Sequence, residues 1–155
     1  MGIGSSFPEA FAKGQLAAGN SIFSKGYAFL SVRDVDKSGI VEVAHYLVNL
    51  GFTILATRGT ALYLEKANVP HQIVNKVLEG RPHIVDMIKN GEVSFIINTT
   101  EGSQAIKDSY TIRRSAMQYK VSYKTTLAGG KAAVLAMVHD ACKPVRSLQS
   151  LYNEE

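Results

Sequence analysis

Between Gly26 and Asp140 the apolar positions alternate between two rhythms. Short continuous runs of strand-forming residues are separated by longer stretches whose apolar side chains recur about every 3.6 positions. Tyr27–Val32 is the first run. Lys37–Leu50 follows as a helix, with Ile40, Val41, Val43, Ala44, Leu47 and Val48 as its apolar stripe. Asp36 is placed to cap its start and Gly51 to end it. Phe52–Ala56 is a second strand, after which Thr57-Arg58-Gly59-Thr60 turns into a helix, Ala61–Ala67. His71–Val74 is a third strand, and His83–Lys89 a helix ending at Asn90-Gly91. Ser94–Asn98, with Phe95, Ile96 and Ile97 in succession, is a fourth strand expected to be buried on both faces. Helix Ser103–Gln118, strand Val121–Tyr123 and helix Leu127–Asp140 complete the series. Parallel neighbours need a connection of helix length. This order therefore predicts a doubly wound α/β fold, a three-layer sandwich on a five-stranded parallel sheet.

The first 22 residues do not share the rhythm. Phe7–Leu16 reads as a short amphipathic helix with Phe7, Phe11 and Leu16 as its apolar positions, and Ala17–Ser21 breaks it. A lone helix with nothing of its own to pack on reads as the tail of a preceding domain, leaving 23–155 as the domain proper. At 155 residues, 46% hydrophobic and 19% charged, the chain has material for one globular core. No apolar run approaches the roughly 18–20 residues of a membrane span. The opening Met1-Gly2-Ile3-Gly4 lacks the basic segment and apolar core of a signal peptide. Cys142 is the single cysteine, so no internal disulfide is expected, which fits a reducing, cytoplasmic setting.

The net charge of +4 is a mild excess of base. Its densest cluster, Lys107, Arg113, Arg114 and Lys120, has the spacing of a solvated or partner-facing helix surface. The aromatic-basic surface of a nucleic-acid binder is missing. A small anionic ligand accounts for the excess equally well.

In open parallel sheets ligands bind beyond the carboxyl ends of the strands. The residues at those ends are Lys37; Thr57, Arg58, Gly59 and Thr60; Asn75 and Lys76; Asn98, Thr99, Thr100, Glu101, Gly102 and Ser103; and Thr125 and Thr126. Hydroxyls, lysines and helix-start amides suit a phosphate, and Asn98 suits a base or a sugar hydroxyl. Read singly, each loop is an ordinary helix cap; together, at one sheet edge, they form a candidate anion site. Arg81 either joins that ligand or pairs with Glu79 or Asp86. His45, His71 and His83 form no metal motif, Cys142 reads as a small buried side chain, and no nucleophile is paired with a base. Neither a catalytic residue nor a metal ligand is expected.

Glu79-Gly80-Arg81-Pro82-His83-Ile84, Ile96-Ile97-Asn98-Thr99-Thr100 and Ile112-Arg113-Arg114-Ser115-Ala116 closely resemble the carboxyl-terminal domain of bacterial carbamoyl phosphate synthetase large chains. Thr57-Arg58-Gly59-Thr60-Ala61 and Asn75-Lys76-Val77 match in the same order, and Phe7–Lys13 resembles the end of the preceding ATP-grasp half. The wider family is the methylglyoxal-synthase-like domain, of Rossmann type. The resemblance implies an allosteric domain that binds UMP as inhibitor and IMP as activator in one pocket. Lys37 and Lys76 would neutralise the phosphate; Thr57, Gly59, Thr60, Thr99 and Thr100 would hydrogen-bond it or the ribose; Asn98 would contact the nucleotide. Tyr123 and Thr125 would contribute to a site for ornithine, a second activator. The implied partners are the rest of the large chain and a glutaminase small chain. The parent would be a ligase using ATP, Mg and K ions, with no cofactor in this segment. The alternative is a free-standing methylglyoxal-synthase-like phosphate lyase. Such an enzyme carries a catalytic aspartate where this chain has Thr100-Glu101-Gly102-Ser103-Gln104.

Overall fold

Five strands, β1 (Tyr27–Ser31), β2 (Thr53–Ala56), β3 (His71–Ile73), β4 (Val93–Asn98) and β5 (Ser122–Lys124), pair in parallel in the order β3-β2-β1-β4-β5. This computed structural model describes residues 1–19, 25–75, 79–80, 83–138 and 147–152. The helices among them are α1 (Phe7–Ala17), α2 (Lys37–Asn49), α3 (Arg58–Lys66), α4 (Ile84–Lys89), α5 (Ser103–Gln118), α6 (Leu127–Val138) and α7 (Leu148–Tyr152).

Successive strand residues face opposite ways, so the inner strands serve two cores. Ala28, Leu30, Ile54, Ala56, Phe95 and Ile97 pack on one face with Ile40, Val43, Leu47, Leu64 and Val134, which α2, α3 and α6 supply. Phe29, Leu55 and Ile96 pack on the other with Ile84, Ile88, Ile112 and Ala116 from α4 and α5. The outcome is the expected three-layer α/β sandwich on an all-parallel five-stranded sheet, with Phe95, Ile96 and Ile97 of β4 buried between the layers.

Several local expectations shift. A 3-10 turn, Asp34–Asp36, precedes α2, and Asp36 does not cap the helix; its carboxylate accepts from Arg33 Nε at 2.8 Å instead. Gly51 does close α2, with φ at +88° beyond Leu50, where a side chain would be strained. The helix after β2 starts at Arg58 rather than Ala61, because the amides of Thr60 and Ala61 both reach back to the Thr57 carbonyl. His83 is the N-cap of α4 in a reciprocal capping box with Asp86. The short α7 has no apolar period to announce it. Residues 139–140 of the expected last helix, Pro82 and Cys142 lie outside the described residues.

The lone N-terminal helix has a packing partner after all. α1 lies on α6 and buries Ala12 completely; of the expected apolar face Phe11 packs against the core, whereas Phe7 and Leu16 are exposed. Lys124, at the end of β5, donates to Gln15 Oε1 at 2.8 Å and lies 5.8 Å from the centre of the Phe11 ring. Glu9 is ion-paired with Lys13 at 2.8 Å and accepts from the Ser5 amide and hydroxyl.

Close approach of α6 to its neighbours depends on glycine. A Cβ at Gly130 would lie 2.5 Å from Ile97 Cδ1, and one at Gly39 would lie 2.5 Å from Leu127 Cδ2. Alanine at a helix position gains about 1 kcal/mol in propensity, but overpacking a core costs about 1–3 kcal/mol. Gly130→Ala should therefore lower stability by a net ~1 kcal/mol in urea unfolding. Combining it with Ile97→Val, which removes the clashing methyl, should give less than the sum of the two losses. A second test is acid titration. The hydrogen bonds from Lys13 and Ser5 hold the Glu9 carboxyl at about 2, against an ordinary 4.5. The stability this adds to the start of α1 is complete above pH 4.5 and disappears as pH falls through 2. A side-chain NMR titration should place the Glu9 midpoint near the lower value.

Candidate functional site

Chain order reverses between β1 and β4, since β2 and β3 lie to one side of β1 and β4 and β5 to the other. In open parallel sheets such a reversal opens a ligand crevice beyond the carboxyl ends of the strands. A cleft of ≈ 450 Å³ opens at this point. Ser31, Thr57 and Asn98, at or just past the ends of β1, β2 and β4, form its floor. The first turns of α2, α3 and α5 form its rim.

The candidates Lys37, Thr57, Gly59, Thr60, Asn98, Thr99 and Thr100 all line this cleft. Lys76 and Arg81 lie outside the described residues. Thr125 lines a neighbouring cavity of ≈ 320 Å³, which shares Arg33, Thr99 and Thr100 with the cleft. Tyr123 touches the cleft indirectly: Asn98 Nδ2 donates to its hydroxyl at 2.9 Å.

Two of the threonines are crossbars as well as lining. The Thr60 hydroxyl accepts from the Val32 amide at 3.2 Å, and the Thr99 hydroxyl accepts from the Arg33 amide at 3.0 Å. Together they suspend the loop after β1 between its two neighbours. Thr57 turns its hydroxyl toward Ser31 and Thr60 rather than toward the amides of its own helix. Gly102, the N-cap of α5 at φ +85°, has no side chain to cap with. The first-turn amides of α3 and α5 are thus left without a cap from these residues at the edge of the cleft. This is the arrangement that attracts an anion.

Lys37 supplies the fixed positive charge. Its side chain is only 14% exposed and pairs with Asp34, which is 91% exposed. That pairing holds the Asp34 carboxyl below the ordinary carboxylate range, first through the hydrogen bond and then through the charge. A Cβ at Gly59 would lie 3.2 Å from Lys37 Nζ, so glycine keeps the space the ammonium uses. Burial raises the Asp36 carboxyl, but bonding to Arg33 and to the Thr99 hydroxyl outweighs it and the net shift is downward.

Sequence reasoning passed over Arg33, Asp34, Glu79, Ser31 and Ser109, all of which line the cleft. Arg33 and Asp34 follow β1 almost immediately, and searching the first residues beyond each strand, rather than the helix openings, finds them. Their presence matters electrostatically. Arg33, Lys37 and Arg58 line the same cleft as Asp34, Glu79 and Glu101, so an entering anion competes with carboxylates already there. Asp34→Asn removes the competitor that Lys37 holds. Because an exposed ion pair contributes up to about 1 kcal/mol, the variant should bind inorganic phosphate about two- to fivefold more tightly, with the gain shrinking at high salt. Calorimetric titration with phosphate checks this; unchanged affinity would show that the carboxylate does not compete.

A protein-family model described as "MGS-like domain" matches residues 39–125. This range contains β2–β5 and every described candidate except Lys37. The chain is 53% identical over 154 residues to the carbamoyl phosphate synthase large chain of Xanthomonas axonopodis pv. citri, covering 99% of this chain. It is 55% identical over 152 residues to that of Pseudomonas aeruginosa and 54% identical over 155 residues to that of Halomonas eurihalina, covering 98% of this chain in each case. It spans 14% of the length of each of these relatives. With the all-parallel sheet of order β3-β2-β1-β4-β5 and a family match over more than half its residues, the chain belongs to the MGS-like domain family.

Proposed function

We propose that this chain is the nucleotide-sensing regulatory domain of a carbamoyl phosphate synthase large chain, and that the cleft between β1 and β4 binds UMP as inhibitor and IMP as activator. The observation that carries the reading is the convergence of helix starts and the half-buried Lys37 on one polar cleft at the sheet's reversal point. Lys37, joined by Lys76, neutralises the phosphate. Helix-start amides and the hydroxyls of Thr57, Thr60, Thr99 and Thr100 donate to it or to the ribose, with Gly59 leaving room. Asn98 reads the nucleoside. Tyr123 and Thr125 form this domain's share of an ornithine site. Residues 1–22 are the tail of the preceding ATP-grasp domain, and 23–155 hold the effector sites.

Such a domain acts by coupling. A nucleotide that binds more tightly to one arrangement of domains shifts the chain toward it, typically by ~1–3 kcal/mol. The element being biased is the remainder of a cytoplasmic large chain. With a glutaminase small chain, ATP, Mg and K ions, that chain makes carbamoyl phosphate for pyrimidine and arginine synthesis. High identity across nearly the whole of this chain to proteins named carbamoyl phosphate synthase large chain supports that parentage. A lyase reading is less well supported, because the segment from Thr100 to Gln104 offers Glu101, an exposed residue, in place of an aspartate.

Charge-assisted hydrogen bonds contribute roughly 1.5–3 kcal/mol each. Lys37→Ala should therefore weaken UMP binding about tenfold or more in calorimetric titration. Absence of heat and of thermal stabilisation with both UMP and IMP at millimolar concentration would overturn the sensor reading. Phosphate release from dihydroxyacetone phosphate above background would establish the lyase instead.

A further inference from the structure

Asn98 is the last residue of β4 and is 3% exposed, so it is a polar side chain almost wholly inside the protein at the floor of the cleft. Its Nδ2 is used, donating to the Tyr123 hydroxyl at 2.9 Å. Its Oδ1 has no hydrogen-bond partner among the described residues. The sheet register explains the contact. Ile96 is paired with Tyr123 across β4 and β5, and Asn98 lies two residues further along β4. Side chains two apart on a strand share a face, so Asn98 and Tyr123 are diagonal neighbours within reach of a long aromatic side chain.

Tyr123 is itself held from above. Arg113, on α5, places its guanidinium carbon 5.8 Å from the centre of the Tyr123 ring, and its Nε is buried without a hydrogen-bond partner. A cation over the ring face is attracted by the ring's quadrupole. Ser109 and Ile112, on the same helix as Arg113, line the cleft directly. The ring is therefore fixed by the helix that forms the cleft wall, while its hydroxyl fixes the carboxamide at the cleft floor.

We infer that Tyr123 is a positioning residue of the nucleotide cleft: it orients the Asn98 carboxamide so that the carbonyl oxygen faces the ligand, and the cleft selects nucleotides that present a hydrogen-bond donor there. The inference rests on the nucleotide-sensing reading and deepens it, giving Tyr123 a role on the nucleotide side in addition to the ornithine side. A carboxamide can present either end; here Nδ2 donates to the Tyr123 hydroxyl, which leaves Oδ1 for the ligand. The donor on the ligand is a ribose hydroxyl or the N3–H of the uracil ring; both share the chemistry that a carbonyl acceptor recognises.

The test is calorimetric titration of the chain and of Tyr123→Phe with UMP, 2′-deoxy-UMP, 3′-deoxy-UMP, N3-methyl-UMP and inorganic phosphate. In the unaltered chain, the analogue lacking the donor that Asn98 reads binds about three- to tenfold more weakly than UMP. Tyr123→Phe keeps the ring under Arg113 and removes only the hydroxyl. It should weaken UMP by a similar factor, no longer distinguish UMP from that analogue, and bind inorganic phosphate as before. A merely structural role would weaken phosphate and nucleotide alike, and that result overturns the inference. So does a variant that binds UMP as tightly as the unaltered chain, or an unaltered chain that binds all the analogues equally well. If the unaltered chain binds phosphate but gives no signal with UMP, the nucleotide-sensing reading falls and this inference with it. The four nucleotides on the unaltered chain thus separate the two failures.

Discussion

Every α-helix leaves the amides of its first turn without intrahelical acceptors, and the way this chain meets that constraint divides its helices by position. At α4 and α6 the starts are closed by the chain itself. His83 and Asp86 form a capping box on α4, and the Thr126 hydroxyl accepts from the Gly129 amide on α6. At the cleft the residues that would cap are turned elsewhere or have no side chain. Asp36 is engaged by Arg33, Thr57 by Ser31 and Thr60, and the position before α5 is Gly102. The positive ends of several helix dipoles are therefore aimed at one volume. The same sheet edge also carries the loop crossbars from Thr60 and Thr99, so the geometry of these helix starts is fixed by the sheet and not by the ligand.

That arrangement must be tolerated when no strong anion is held. Concentrated positive potential without a counter-charge is unfavourable, and the carboxylates of Asp34, Glu79 and Glu101 in the cleft lining offset it. The asymmetry in burial between Lys37 and Asp34 sets which partner gives way. A buried ammonium stays in place, while an exposed carboxylate returns to water at little expense. On the proposed function, an incoming phosphate would replace the Asp34 carboxylate at Lys37, and its affinity would be a difference between two interactions.

Much of the fold was legible because it rests on periodicity. The five strands, their alternation with helices and the parallel sheet all follow from where apolar residues fall, and no observed strand limit differs by more than one residue. What periodicity does not encode was missed. The turn at Asp34–Asp36 is polar and short, and α7 is only five residues long. α1 docks through the small Ala12 together with Phe11, while Phe7 and Leu16 face outward. A small buried residue marks close approach, and composition alone gives it little weight. At the site, the convergence of Lys37, Thr57, Thr60, Asn98 and Thr100 was legible from strand ends. That the hydroxyls of Thr60 and Thr99 also hold the backbone of the loop after β1 was not, because those contacts join residues 28 and 66 positions apart.

Strand β5 has a consequence that follows from its pleat. Tyr123 faces the layer of α5 and meets the cleft through Asn98, while its neighbour Lys124 emerges on the opposite side and reaches Gln15 and Phe11 of α1. Adjacent residues of one strand are joined by a single planar peptide group, which fixes the spacing between the two Cα atoms that carry these contacts. The chain's N-terminal helix and the floor of the cleft are thus fastened to the same short strand from opposite faces of the sheet.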